Sequence, residues 1–254
     1  MFFIIGLGLG KDDISIRALS ALKHSDIVLL DSYTSFVKEE YVKRLEKLAA
    51  KHFIRVSRSD LEQNAKKTVN AALEKDVALL VPGDPLIATM HKIVVDEAKR
   101  QGIKVAVMHA PSVLNVAIGE SGLSAYRFGP IANVPFWQKD YKPTSFVRVV
   151  SKNLANDLHT LLLLDIDHDH NRPMSIAEFS EIFSNADKAE QTKIVKNTLK
   201  ILVMADVGTE KQQVLFTRFS ELNSLSENLA GRVLSIIVPA SLSFSEEESL
   251  SLMH

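Results

Sequence analysis

The chain has 254 residues, 46% of them hydrophobic and 24% charged, with 30 Lys and Arg against 31 Asp and Glu. This composition builds a sizeable core and excludes disordered and fibrous classes, and a formal charge of −1 supplies no field to draw in nucleic acid or an anionic membrane surface. With no cysteine, disulfides, thiolate zinc sites and thiol catalysis are excluded by inventory, and a reducing, cytoplasmic setting is expected.

In chain order, the opening MFFIIGLGLGKDD lacks a basic n-region and a small-residue cleavage site, so residues 2–7 are read as a strand and not as a leader. Further strands are predicted at 26–31, 52–56, 76–82 and 103–109. Between 56 and 76, Leu61, Ala65, Val69, Ala72 and Leu73 fall at helical spacing, with Lys66, Lys67, Glu74 and Lys75 off that stripe. Short apolar strands alternating with amphipathic stretches predict an α/β fold with a largely parallel sheet covered on both faces. Residues 110–135 read as the crossing between two α/β domains, assigned to 1–112 and 113–254. The segment 127–143 is rich in proline and aromatics and has no helical period. Strands follow at 159–166, 200–207 and 233–239. Helices are predicted over 175–184, opening on a Ser175/Glu178 capping box, and over 187–199, and the tail from 243 reads as a short, frayed helix. No window approaches the roughly 18 uninterrupted apolar residues of a membrane-spanning helix.

Three local patterns carry chemistry. Gly6, Gly8 and Gly10 follow the first strand, but a dinucleotide fingerprint needs GxGxxG, and Asp31 is only a partial match for its ribose-binding acid. A tight turn and a substrate loop both remain open there. Gly83-Asp84-Pro85 ends the fourth predicted strand, where open parallel sheets bind ligands. Pro85 pushes Asp84 toward an extended conformation, which is expected to aim the carboxylate outward; a cap on a helix starting near Leu86 accounts for Asp84 equally well. His168 and His170 stand among Asp165, Asp167 and Asp169, but no further His or Cys lies at ligand spacing, so no metal is expected.

Several strings then occur together: IGLGLG (5–10), SYTS (32–35), PGDPLIATMH (82–91), HAPSVLNVAIGESGLSAYRFG (109–129), VPFW (134–137), KPTSF (142–146) and LHTLLLLDI (158–166). Their order resembles that of the diphthine synthases, a family of class III, tetrapyrrole-methylase-like S-adenosylmethionine methyltransferases, over nearly the whole chain. The resemblance implies two α/β domains of the tetrapyrrole methylase type with the cofactor, S-adenosyl-L-methionine, in the interdomain cleft, and a homodimer. It implies the reaction as well: trimethylation of the amino group of the carboxy-aminopropyl histidine of translation elongation factor 2 in diphthamide biosynthesis. The length matches archaeal members; eukaryotic members add a further methyl as an ester.

Carried over position by position, the family's cofactor contacts fall on Leu9, Asp84, Ile87, Ser112, Val113, Leu164, Ala205, Val207 and Leu234. Two of these areas depart from the pattern. ADVGT (205–209) stands where many relatives read ARAGS, and Leu234 stands where a histidine often precedes SLIVP. A contact made by that imidazole would be lost, whereas one made by backbone would survive. On the substrate side, Ser32, Tyr33, Thr34 and Ser35, with Tyr126 and Arg127, are candidates, Arg127 offering a fork to a carboxylate or pairing with an interdomain acid. Tyr33, Tyr126, Phe136 and Trp137 could surround a quaternary ammonium.

Methyl transfer to an amine needs a neutral nitrogen. An α-amino group has a reference pKa of roughly 7.7–8.0, so about a tenth is neutral at pH 7, no dedicated base is required, and no catalytic residue is assigned. Two alternatives remain: a methylase of the same fold acting on a tetrapyrrole, and a non-catalytic S-adenosylmethionine-binding regulator.

Overall fold

The computed structural model describes residues 1–167, 170 and 172–253, divided between a unit of residues 1–113 and a unit of residues 114–254. In the first unit, β1 (Phe2–Gly6), β2 (Ile27–Asp31), β3 (Ile54–Val56), β4 (Val77–Val81) and β5 (Val105–Met108) form one sheet in the order β3-β2-β4-β1-β5. Every pairing in it is parallel. All five residues of the central β4 are buried, which is why that segment is a continuous apolar run and does not alternate. Its odd and even side chains nonetheless enter different cores. Leu79 packs with Leu61, Val69, Val94 and Val95, while Ala78 and Leu80 pack with Leu22, Val42 and Leu45.

Those helical residues belong to α1 (Ile16–His24), α2 (Glu39–Ala49), α3 (Arg58–Glu62), α4 (Ala65–Asn70) and α5 (Lys92–Arg100), which cover both faces of the sheet. The single helical stripe expected between 56 and 76 is broken into α3, α4 and a 3-10 turn at Ala71–Leu73. The break lies at Asn64, whose backbone N–H and side-chain amide both donate to Ser59 O, at 2.9 and 3.2 Å, closing off α3.

After α6 (Val113–Glu120), the second unit builds β6 (Ala132–Val134), α7 (Ser145–Ala155), β7 (Thr160–Leu164), a two-stranded ribbon of β8 (Ile166–Asp167) and β9 (Arg172–Pro173), and α8 (Ile176–Glu190). Then come β10 (Lys200–Ala205), β11 (Gln213–Arg218), β12 (Leu234–Val238) and α9 (Phe244–Ser251). This sheet differs from the first: its order is β11-β10-β12-β7-β6, and among the described residues only β6 and β7 run parallel in it. Phe146, Phe179 and Phe183, from α7 and α8, pack over Leu162, Val203 and Ile236 of this sheet. The edge strands β6 and β11 escaped the sequence reading, because β6 sits between Pro130 and Pro135 and β11 is partly exposed.

Helix α8 does open on the Ser175/Glu178 capping box, with Glu178 N donating to Ser175 Oγ at 3.2 Å and Ser175 N to Glu178 Oε2 at 2.9 Å. It then runs unbroken to Glu190, so the second helix expected over 187–199 is absent. Gln191 turns left-handed at φ 55°, and the buried Asp187 carboxylate accepts Ile194 N and Val195 N, at 3.0 and 3.4 Å, holding the exit non-helical. Helix α9 is not frayed at its start: Ser243 caps it, and Glu246 is buried. Among the described residues, no helix is long and apolar enough to cross a membrane.

Candidate functional site

At the carboxyl edge of the first sheet, the chain leaving β1 and the chain leaving β4 lock together. Leu7 N donates to Val81 O at 2.8 Å, Gly8 N to Gly83 O at 3.2 Å, and Gly83 N to Gly8 O at 2.9 Å. Gly8 and Gly83 have φ of 72° and 69°, a region that favours glycine. A Cβ on Gly8 would lie 2.1 Å from Asp13 Cβ, and one on Gly6 would lie 2.7 Å from Gly83 O. The glycines therefore serve positive φ and close backbone approach, as a tight turn requires, and Asp13 closes that turn. Its Oδ2 accepts Leu9 N at 2.8 Å and Gly10 N at 2.7 Å. A Cβ on Gly83 would meet only Leu9 Cδ2, at 3.9 Å, so the first two loops of the carried-over set do come together.

Asp84 does not point outward. It is 4% exposed, and its carboxylate accepts Leu86 N at 2.9 Å, Ala110 N at 3.2 Å and His109 Nδ1 at 2.8 Å. The bond to Leu86 N is an Asx turn, not a helix cap. Residues 85–91 stay in turns, with Thr89 Oγ1 donating to Pro85 O at 3.0 Å, and α5 starts only at Lys92. Asp84 thus ties the β4 exit to the β5 exit, and it holds the ring of His109, which is 66% exposed. Sequence reasoning passed over His109, although it opens one of the diagnostic strings. Ile87 is 41% exposed, while Ser112, just ahead of α6, is buried.

The third loop follows β2. Asp31 is buried and its Oδ1 accepts Tyr33 N at 2.8 Å and Thr34 N at 3.2 Å, so it shapes the turn through Ser32, Tyr33, Thr34 and Ser35. Ser32 Oγ donates to Val56 O at 2.9 Å. His91, fully buried, places Nε2 3.3 Å from Asp31 Oδ2, linking this turn to the segment after Gly83. Burial, then the nearby Asp31 and Glu62 charges, push the Tyr33 phenol up to about 12. Burial and Asp13 do the same to Tyr41. Both stay protonated at neutral pH and act as donors.

In the second unit, strand order does what sequence spacing could not. Ala205 pairs with Leu234, and Leu163 pairs with Ser235, so Ala205, Leu234 and Leu164 share one edge of three adjacent strands, β10, β12 and β7. Val207 follows through Asp206, which is left-handed at φ 48°. Asp206 accepts Arg232 Nε at 2.8 Å and Val233 N at 3.1 Å. Ala205, Val207, Leu234 and Leu164 are all buried.

Arg127 is committed elsewhere. Its guanidinium donates to Glu246 Oε2 and Asp157 Oδ2, both at 2.7 Å, and to Ser241 Oγ at 3.2 Å, all within its own unit and not to an interdomain acid. Glu246 also accepts Ser124 N at 2.9 Å, Ser243 N at 2.8 Å and the buried His159 Nε2 at 3.0 Å, while His159 Nδ1 accepts Ala240 N at 2.9 Å. Burial alone would raise the Glu246 carboxyl, but the hydrogen bonds from Ser243, Ser124 and His159 outweigh it and hold the carboxyl at about 2. Tyr126, beside Arg127, is 98% exposed. Phe136 faces the Arg172 guanidinium at 4.7 Å and Trp137 the Lys142 ammonium at 5.8 Å, so both rings already carry cations of the chain itself. Among the described residues, no group of three His, Cys, Asp or Glu gathers as a metal site; His168 and Asp169 lie outside them, and His170 Nδ1 meets Asp167 Oδ2 at 2.8 Å.

Residues 1–223 match the family of Tetrapyrrole (Corrin/Porphyrin) Methylases. A diphthine synthase of Methanothermobacter thermautotrophicus is 35% identical over 252 residues, covering 98% of this chain and 94% of that protein. A protein of Arabidopsis thaliana named "probable diphthine methyl ester synthase" is 33% identical over 246 residues, 89% of this chain and 88% of its own. A solved diphthine synthase superposes with a TM-score of 0.87 at 32% identity, covering 99% of this chain and 95% of that one. This similarity favours the diphthine branch over a tetrapyrrole methylase and a methyltransferase over a regulator. With its parallel first sheet, its mixed second sheet and full-length likeness to these proteins, the chain belongs to the diphthine synthases of the tetrapyrrole methylase family.

Proposed function

We propose that this methyltransferase uses S-adenosyl-L-methionine to methylate, three times in succession, the amino group of the carboxy-aminopropyl histidine on translation elongation factor 2. The observation that carries the reading is the carboxyl edge of the first sheet, where the Gly8–Gly83 bridge and the Asp84 anchor bring three strand exits together. Leu9 offers partly exposed apolar surface beside Gly83, where a side chain would meet nothing else, with the exposed Ile87 four residues on, and this suits a nucleoside sulfonium. When bound, S-adenosylmethionine supplies a methyl group activated on its sulfonium sulfur. Leu9, Asp84, Ile87, Ser112, Val113, Leu164, Ala205, Val207 and Leu234 are assigned to its binding, with 1–112 and 113–254 as the functional domains. Ser32, Tyr33, Thr34 and Ser35, on a turn held by Asp31, and the exposed Tyr126 are assigned to the substrate. Arg127 leaves that set because its fork is filled. A cytoplasmic homodimer is the expected working form.

The test combines purified protein, labelled S-adenosylmethionine and elongation factor 2 bearing the unmethylated adduct. Label on that histidine, stable to mild alkali, is the expected result. No label overturns the reading, and an alkali-labile methyl would place the activity with the ester-forming branch.

A further inference from the structure

We infer that His109 accepts the proton that the substrate nitrogen releases between successive methyl transfers, with Asp84 orienting its ring; the inference rests on the function proposed above. Each transfer forms an N–C bond with the nitrogen lone pair and breaks the S–C bond, whose electron pair returns to sulfur. The nitrogen is left as an ammonium without a lone pair. Before the next transfer, that ammonium must lose a proton and keep the N–H electron pair.

His109 has the geometry for this. It follows β5, which pairs with β1, so it stands at the same carboxyl edge as the Gly8 loop. A carboxylate only accepts hydrogen bonds, so the 2.8 Å contact from Nδ1 to Asp84 Oδ2 puts a proton on Nδ1 and leaves a lone pair on Nε2. Asp84 is fixed by Leu86 N and Ala110 N and is nearly fully buried, so the ring is held on one side while its exposed side can pass the proton on to water. The other ionisable groups of these loops are less suited to the task. Asp13 is taken by Leu9 N and Gly10 N, the Tyr33 and Tyr41 phenols are already protonated, and the Asp31–His91 pair is fully enclosed, so that, although Asp31 Oδ2 and both His91 ring nitrogens make no hydrogen bond among the described residues, neither can pass a proton to solvent.

The experiment follows mono-, di- and trimethylated adduct on elongation factor 2 by mass spectrometry for the wild type and His109→Gln at saturating S-adenosylmethionine. The first transfer draws on amine that is already partly neutral. The later two depend on proton release within the complex, and are expected to slow more, by about 10²-fold at pH 7. Mono- and dimethyl forms then accumulate, and the deficit shrinks as the pH is raised or as imidazole is added. Methyl distributions and pH profiles identical to wild type overturn the inference. So does an equal slowing of all three steps with weakened cofactor binding in calorimetry, which makes His109 a binding residue. If the wild type itself leaves the adduct unmethylated, it is the proposed function that fails.

Discussion

Two histidine–carboxylate pairs set the units apart. His109 and Asp84 meet at 2.8 Å in the first unit, and His159 and Glu246 at 3.0 Å in the second. In the second pair every polar ring atom is used: Nδ1 accepts Ala240 N, Nε2 meets Glu246, and Glu246 further anchors Arg127, Ser124 and Ser243. This is a strut joining the diagnostic YRFG and LHT strings to α9. In the first pair the carboxylate is buried but the imidazole is largely open to solvent. The same two functional groups thus serve architecture where the ring is enclosed and are available for chemistry where it is not.

The largest effect should come from breaking the enclosed pair. Glu246→Ala strands the buried His159 ring and removes one carboxylate from the part-buried Arg127, and should cost about 3–5 kcal/mol in urea unfolding. The same carboxyl is pH-linked. Its folded value of about 2 lies below the ordinary 4.5, so its stabilisation, about 3 kcal/mol, is complete above pH 4.5 and is lost as pH falls toward 2. Glu246→Gln should remove that slope in melts at pH 6 and pH 3, and an unchanged slope would assign acid unfolding to other groups. Asp84→Ala should cost less stability, about 1–3 kcal/mol for the stranded Leu86 and Ala110 N–H groups, but should weaken S-adenosylmethionine binding in calorimetry. Unchanged affinity would reduce Asp84 to a second strut. The smallest effect is expected at Tyr126→Ala, which touches the strut only through its neighbour and is 98% exposed; unfolding should shift by no more than about 0.5 kcal/mol.

Features legible in the sequence were the ones whose causes lie within a few residues. The Ser175 and Glu178 capping box acts across three positions, the unbroken apolar run of β4 reports burial on both faces, and Gly83-Asp84-Pro85 marks a strand end. The misreadings have equally definite causes. No helix covers 191–199 because Asp187 turns inward to hold residues 194 and 195, and α5 waits until Lys92 because Asp84 and Thr89 stabilise turns. Nothing local announces either.

The sequence by itself determined the broad alternation of strand and helix, the capped start of α8, the glycine-permissive turns and, through its ordered strings, the family. Tertiary structure decided where the buried polar groups find their partners. Ala110 and His109 satisfy Asp84 from another strand, Glu246 reaches back to Ser124, Arg127 and His159, and strand order alone brings Ala205, Leu234 and Leu164 to one edge. The reason is physical: propensity and capping act over one helical turn, whereas a buried carboxylate must be satisfied by whichever donors the assembled sheet places beside it.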